Sequence, residues 1–206
     1  MYEIISSGSK GNAVLYFDSV LVDCGIPYSL LIPYIGKIKI VLLTHSHLDH
    51  FNISTIKRLS FERPALRFGC GKFMLEYLIG VRNVDVYEAG KIYDYGLFKI
   101  SPVVLYHDVP NFGYRIFKDN KKIIHATDTF TLEGISARNY ELYAIEANYD
   151  DETVYSIIEE KSMRGEYAHQ RGAINSHLSK QQAQNFVLQN AGNEYDFVML
   201  HQSSEF

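Results

Sequence analysis

The chain has 206 residues, 47% of them apolar and 21% charged, with a formal net charge of −4. That composition excludes a disordered or fibrous chain and offers no broad basic surface for holding DNA, although a local basic patch stays open. Cys24 and Cys70 are the only cysteines and no C-x-x-C occurs, which excludes a disulfide framework and a sulfur-rich zinc site.

In chain order, runs rich in Val, Ile, Tyr and Phe predict strands at Ala13–Phe17, Val20–Asp23 and Ile38–Thr44. A helix is expected over Phe51–Ser60, a strand at Ala65–Phe68 and a helix over Lys72–Ile79. Further strands are expected at Phe98–Leu105, Gly113–Phe117, Lys122–Ala126 and Leu142–Ile145. Glu152–Lys161 sets Val154, Ile157 and Ile158 on one helical face. The mixed stretch Ser162–Ser176 carries no assignable pattern, with a mobile loop one option. Ser179–Gln189 opens with a serine suited to cap a helix, and Phe197–Leu200 closes the series as a strand. Strands dominate both halves with helices between them, the pattern of packed sheets covered by helices. The length suits one domain spanning residues 1–206. No apolar run nears the ~20 residues of a bilayer span. Met1-Tyr2-Glu3-Ile4-Ile5 shows no basic stretch leading into an apolar segment, so a cytoplasmic protein without a membrane partner is expected.

The chemistry concentrates after the strand Ile38–Thr44, in His45-Ser46-His47-Leu48-Asp49-His50. Imidazole nitrogen suits zinc, iron or manganese, and a neighbouring carboxylate favours a hydrolytic centre over a structural one. His45 and His47, two apart on extended backbone, project to one side. Asp49 and His50 follow as the chain turns into a helix, so four ligands are gathered with little loop entropy lost. One loop cannot saturate two ions. His107, Asp128 and His201 each stand just past an apolar strand, where open sheets gather their active sites.

Together these residues resemble the metallo-β-lactamase superfamily, whose H-x-H-x-D-H signature stands here as His45-x-His47-x-Asp49-His50. The resemblance implies an α/β fold, an αββα sandwich of two mixed sheets packed together and flanked by helices. It implies two divalent metal ions, zinc or manganese with iron also compatible. One would be held by His45, His47 and His107 and the other by Asp49, His50 and His201, with Asp128 bridging. Within the superfamily the chain is similar to the YycJ/WalJ-like group of small exonucleases. The similarity is carried by Ser7-Gly8-Ser9-Lys10-Gly11-Asn12, Leu21-Val22-Asp23-Cys24-Gly25, His107-Asp108-Val109-Pro110, Ile145-Glu146-Ala147-Asn148-Tyr149-Asp150 and Leu200-His201-Gln202-Ser203-Ser204-Glu205. Gln202 stands where that group has Leu.

The resemblance also implies roles outside the ligand set. Asp23 would orient a metal-bound histidine. His177, before a serine-capped helix, occupies the place of a histidine that contacts the scissile phosphate or protonates the leaving oxygen in the superfamily's phosphodiesterases. Asp49 and His177 are therefore the expected catalytic residues. Lys10, Ser179, Glu146 and Asn148 are candidates for phosphate or substrate binding, each weighed against a plain structural role: a tight Gly turn at 8–12, a helix cap at Ser179, buried polar groups at Glu146 and Asn148. His125 and His169 are expected to be structural or exposed.

The expected reaction is phosphodiester cleavage by a metal-activated hydroxide, with DNA or RNA as substrate. A small-molecule phosphodiesterase of the same fold, acting for example on cyclic nucleotides, is the alternative. A non-catalytic metal-binding interaction protein is a second, opposed by the intact ligand set. The interval from Asp128 to His177 is too short for a β-CASP cap, and no ribonuclease Z arm is evident. A homodimer is compatible with the sequence.

Overall fold

Two six-stranded mixed sheets, each with its own helices, are found in the structure, a computed structural model that describes residues 1–168 and 170–202. His169 and the Ser203-Ser204-Glu205 end of the last motif lie outside the described residues. The chain divides into one unit of Met1–Lys91 with Val109–Phe112, and another of Ile92–Asp108 with Gly113–Phe206.

In the first unit the sheet runs in sequence order: β1 (Tyr2–Ser6), β2 (Ala13–Tyr16), β3 (Val20–Val22), β4 (Ile40–Leu42), β5 (Arg67–Gly71) and β6 (Val84–Tyr87). β1 to β3 are antiparallel, and β3 to β6 are parallel. β2, β3 and β4 are apolar at every position and wholly buried, as strands covered on both faces must be. The core joins Leu15, Leu21, Val41 and Phe68 to Ile56 and Leu59 of helix α2 (Ile53–Glu62) and to Met74. Asn52 caps α2 by accepting from the Thr55 N–H. A short helix, α1 (Tyr28–Leu31), had no strong periodic signal to announce it.

The second unit's sheet has the order β12-β11-β10-β9-β8-β7. Its strands are β7 (Tyr93–Asp94), β8 (Lys99–Leu105), β9 (Asn111–Lys118), β10 (Lys121–Ala126), β11 (Leu142–Glu146) and β12 (Asp196–Leu200). β9 and β10 form a hairpin in which Lys118 pairs Lys121. Asp119 and Asn120 between them both have positive φ, the backbone a two-residue turn of that hand requires. β10, β11 and β12 are mutually parallel, so their C-terminal ends lie side by side. Helices α3 (Asp151–Met163), α4 (Gln170–Ser176) and α5 (Lys180–Asn190) follow β11. α5 presses Ala183, Phe186 and Val187 onto Tyr143 and Ile145.

The helix expected over Lys72–Ile79 is found as a 3₁₀-helix over Lys72–Leu78. Ser162–Ser176, which carries no assignable sequence pattern, is helical at both ends. α3 runs to Met163 and stops at Gly165, whose left-handed φ of 69° lets Glu166 N–H reach Lys161 O and Gly165 N–H reach Ser162 O, a Schellman close. Gln170–Ser176 then forms α4.

Candidate metal centre

In the first unit, β4 delivers the chain to Thr44 and the ligand-type loop. Asp23, at the end of the neighbouring β3, is buried, and its Oδ1 accepts from both the Thr44 N–H (3.0 Å) and the Thr44 hydroxyl (2.8 Å). Its Oδ2 accepts from His50 Nδ1 at 2.6 Å. The Thr44 hydroxyl has a single proton and gives it to Asp23. Its 2.9 Å contact with His45 Nδ1 is therefore accepted from the ring. One carboxylate thus sets both imidazoles, with Nδ1 protonated and the lone pair on Nε2, the state in which histidine ligates a metal. The rings of His47 and His50 lie 4.8 and 4.3 Å from that of His45.

The loop is held tightly from behind. Asn12 N–H donates to Asp49 O at 2.6 Å, and Cys24 N–H donates to His50 O at 3.0 Å. A Cβ at Gly25 would sit 1.7 Å from Asp49 O, so only glycine lets the two backbones meet. Burial pushes the Cys24 thiol far up and the Cys70 thiol up to about 12, which keeps both protonated.

In the second unit, the parallel register brings three chemically active side chains to one end of the sheet, and a fourth joins them from between two helices. Asp128 follows β10, Glu146 ends β11, His201 follows β12, and His177 lies between α4 and α5. Each offers an atom within 4.8 Å of the others'. Asp128 turns Oδ2 to His107 Nε2 and Oδ1 to His201 Nε2, both at 3.7 Å. That is too long for a hydrogen bond and suits atoms sharing an ion, since ligands ~2.1 Å from zinc lie roughly 3.4 Å apart. His107 Nδ1 donates to Ser176 O at 3.0 Å, which leaves Nε2 as the acceptor nitrogen. Burial holds the His107 pKa below the usual histidine value despite Asp128 and Asp108, so its neutral form is favoured.

Glu146 is fully buried. Its Oε2 accepts from the N–H groups of Thr129 (2.9 Å) and Leu178 (3.4 Å), and its Oε1 engages His177 Nδ1. Burial lowers the His177 pKa, but the Glu146 hydrogen bond and charge outweigh it and the net shift is upward. The ring stacks on His201 with centroids 5.4 Å apart. Asn148 places Nδ2 3.2 Å from His201 Nδ1 and 3.0 Å from His201 O. Asp23, Asp128 and His201 all have φ between 49° and 62°, in the left-handed region where Asp and His are more tolerated than most residues.

Glu146, Asn148, Ser179 and Lys10, the four candidates for phosphate binding, are placed as follows. Glu146 and Asn148 are buried supports of His177 and His201. Ser179 is a buried cap: its hydroxyl accepts from Gln182 N–H and donates to Asp151, and its own N–H goes to Gln182 Oε1 in a full capping box. Lys10 is exposed on a turn whose Gly8 and Gly11 N–H groups are spent internally, on Asn12 Oδ1 and Gly8 O. His125 is buried in β10 beside Thr127, and His169 lies outside the described residues. Sequence reasoning missed Thr44 and Thr129 as supports. The position of each next to a ligand at a strand end was the available signal.

The donor set in each half is nitrogen and oxygen, with lone pairs fixed by buried partners, and it fits a divalent ion of borderline or hard character. A family model for the beta-lactamase superfamily domain matches residues 19–183. The chain belongs to that superfamily. Among solved structures it is similar to the metallo-β-lactamase fold protein YhfI from Bacillus subtilis, with a TM-score of 0.76 and 18% identity over 100% of this chain and 87% of that one. It is similar to the short form of human tRNase Z (TM-score 0.68, 17% identity, 98% and 92% covered). A diphosphatase from the PhnP family follows with a TM-score of 0.67 and 16% identity over 100% and 87%. At these identities the likeness is one of fold, and it shows the metallo-β-lactamase fold for this chain. No curated protein sequence matches it. Among the described residues no helix is long and apolar enough to cross a membrane.

Proposed function

We propose that this superfamily member is a metal-dependent phosphodiesterase, acting on DNA or RNA. The observation that carries the reading is the pairing of half-buried His177 with fully buried Glu146 beside Asp128 and His201. A proton donor fixed against ligand-type residues has a task where an oxygen must depart. Two of the structural relatives are by name a tRNase Z and a diphosphatase, and both names refer to phosphate chemistry.

In this reading the superfamily signature assigns His45, His47 and His107 to one ion, Asp49, His50 and His201 to the other, and Asp128 to both. When bound, the ions supply Lewis acidity, lowering the pKa of a water towards neutrality and offsetting charge on the phosphoryl oxygens. The protein's own groups do the rest. Asp23 and Thr44 keep Nδ1 of His50 and His45 protonated. Glu146 grips Nδ1 of His177, so the proton given to the departing oxygen comes from Nε2. The YycJ-like motifs favour a nucleic-acid substrate. The diphosphatase relative favours a small phosphate compound as the second reading.

The test is metal analysis followed by turnover of linear DNA, RNA, cyclic nucleotides and nucleoside diphosphate compounds with Mn²⁺ or Zn²⁺. Cleavage of linear polymers supports the nuclease reading, and cleavage of small phosphates alone replaces it with the second. A metal-loaded protein that turns over none of them would overturn both.

A further inference from the structure

Asn12 is a buried polar residue that neither the ligand assignment nor the acid role uses. The direction of its amide is fixed, because Oδ1 accepts from the Gly8 N–H at 2.8 Å. Nδ2 is therefore the end turned towards the ligand loop. It lies 2.9 Å from His50 Nε2 and 3.2 Å from Asp49 Oδ2, with Asp49 O and Gly8 O also at 3.2 Å. The backbone N–H of Asn12 grips the same loop, donating to Asp49 O, while its carbonyl is anchored by the Gly25 N–H at 3.0 Å. Since Asp23 holds the Nδ1 proton of His50, Nε2 carries a single lone pair, which is the metal's when an ion binds; the contacts of the amide compatible with metal are those to Asp49. The Asp49 side chain is 24% exposed, and a carboxylate that open samples several rotamers unless a donor holds it.

We propose that Asn12 is a positioning residue that clamps Asp49, holding its carboxylate with the side-chain amide and its carbonyl with the backbone N–H while a metal is bound. The idea rests on the metal-centre reading above. The Ser7–Asn12 turn then serves the ligands from behind, in place of meeting a substrate phosphate with Lys10.

Cobalt(II) is the probe, followed by its visible absorption and by competition with a chelator. Asn12→Ala is expected to weaken cobalt affinity 10–100-fold, the range for losing a group that orients a ligand, and to shift the absorption bands. Ser6→Ala is the control: the Ser6 hydroxyl ties the same turn through Gly11 O at 2.6 Å without touching the loop, and its affinity and bands should stay as in the unaltered protein. In the unaltered protein, the Asn12 side-chain amide resonance should move on stoichiometric zinc addition while that of Asn185 stays still, a readout that needs no variant to fold. Asn12→Ala with unchanged affinity and bands, Ser6→Ala with equal losses, or a motionless Asn12 resonance would each overturn the clamp and leave the metal reading intact. An unaltered protein that takes up no cobalt would overturn both.

Discussion

The two units supply ligand-type residues in opposite ways. In the first, His45, His47, Asp49 and His50 hang from one strand end, and a single carboxylate, Asp23, orients two of the imidazoles. In the second, His107, Asp128 and His201 follow three separate strands, β8, β10 and β12, and Asp128 faces both histidines at 3.7 Å, the ends of β10 and β12 being aligned by the parallel register of β10, β11 and β12. A local cluster gets its geometry cheaply from a short loop, whereas a dispersed one depends on the whole sheet. The first half is therefore vulnerable at its orienting group, the second at its register and buried supports.

The largest effect should fall on the ligands themselves. His47→Ala, Asp49→Ala and Asp128→Ala are each expected to lower phosphodiester turnover by at least ~10³-fold and to reduce metal per chain, measured by atomic absorption. Near-normal turnover in an Asp49→Ala protein of verified metal content would sink the two-ion proposal. His177→Ala should cost about 10²–10⁴-fold in kcat with metal content unchanged. The penalty should shrink for a substrate with a nitrophenolate leaving group, which departs without a proton; an equal penalty on both substrates would assign His177 to support alone.

Asp23→Asn and Glu146→Gln compare the halves directly. Asp23→Asn should weaken metal binding about 10–100-fold, because two ligands lose their orientation. Glu146→Gln should leave metal affinity nearer normal and lower kcat. The reverse pattern would break the division of labour between the units. Smallest is Ser179→Ala, expected to cost about 1 kcal/mol of stability in denaturant unfolding with kcat unaltered. A large kcat loss without a stability loss would restore Ser179 to the substrate site.

The sequence made the first half legible because its ligands are contiguous and its strands are unbroken apolar runs such as Ile40–Leu42. β1 was not legible, since Tyr2-Glu3-Ile4 is an exposed edge whose pairing with β2 comes from tertiary contact. β7, of two residues, offers too little pattern to register. His107, Asp128 and His201 were found by their places after strands, but nothing in periodicity says which face a Glu146 or an Asn148 turns to. A carboxylate in a strand and a carboxamide two residues on look alike whether they meet substrate or brace a histidine. Asn12 was hidden for the same reason, inside a turn whose glycines supplied a sufficient explanation.

The left-handed backbone at Asp23, Asp128 and His201 sets stability against chemistry. Each residue there carries about 1 kcal/mol of strain that glycine would relieve. Selection for thermal tolerance alone would thus drift towards glycine at Asp128, whose carboxylate meets His107 and His201 only at 3.7 Å, and not at Asp23, where glycine would leave three buried donors without their acceptor. A stabilised variant library of this chain should show that conflict at residue 128 first, with gains in melting temperature traded for metal.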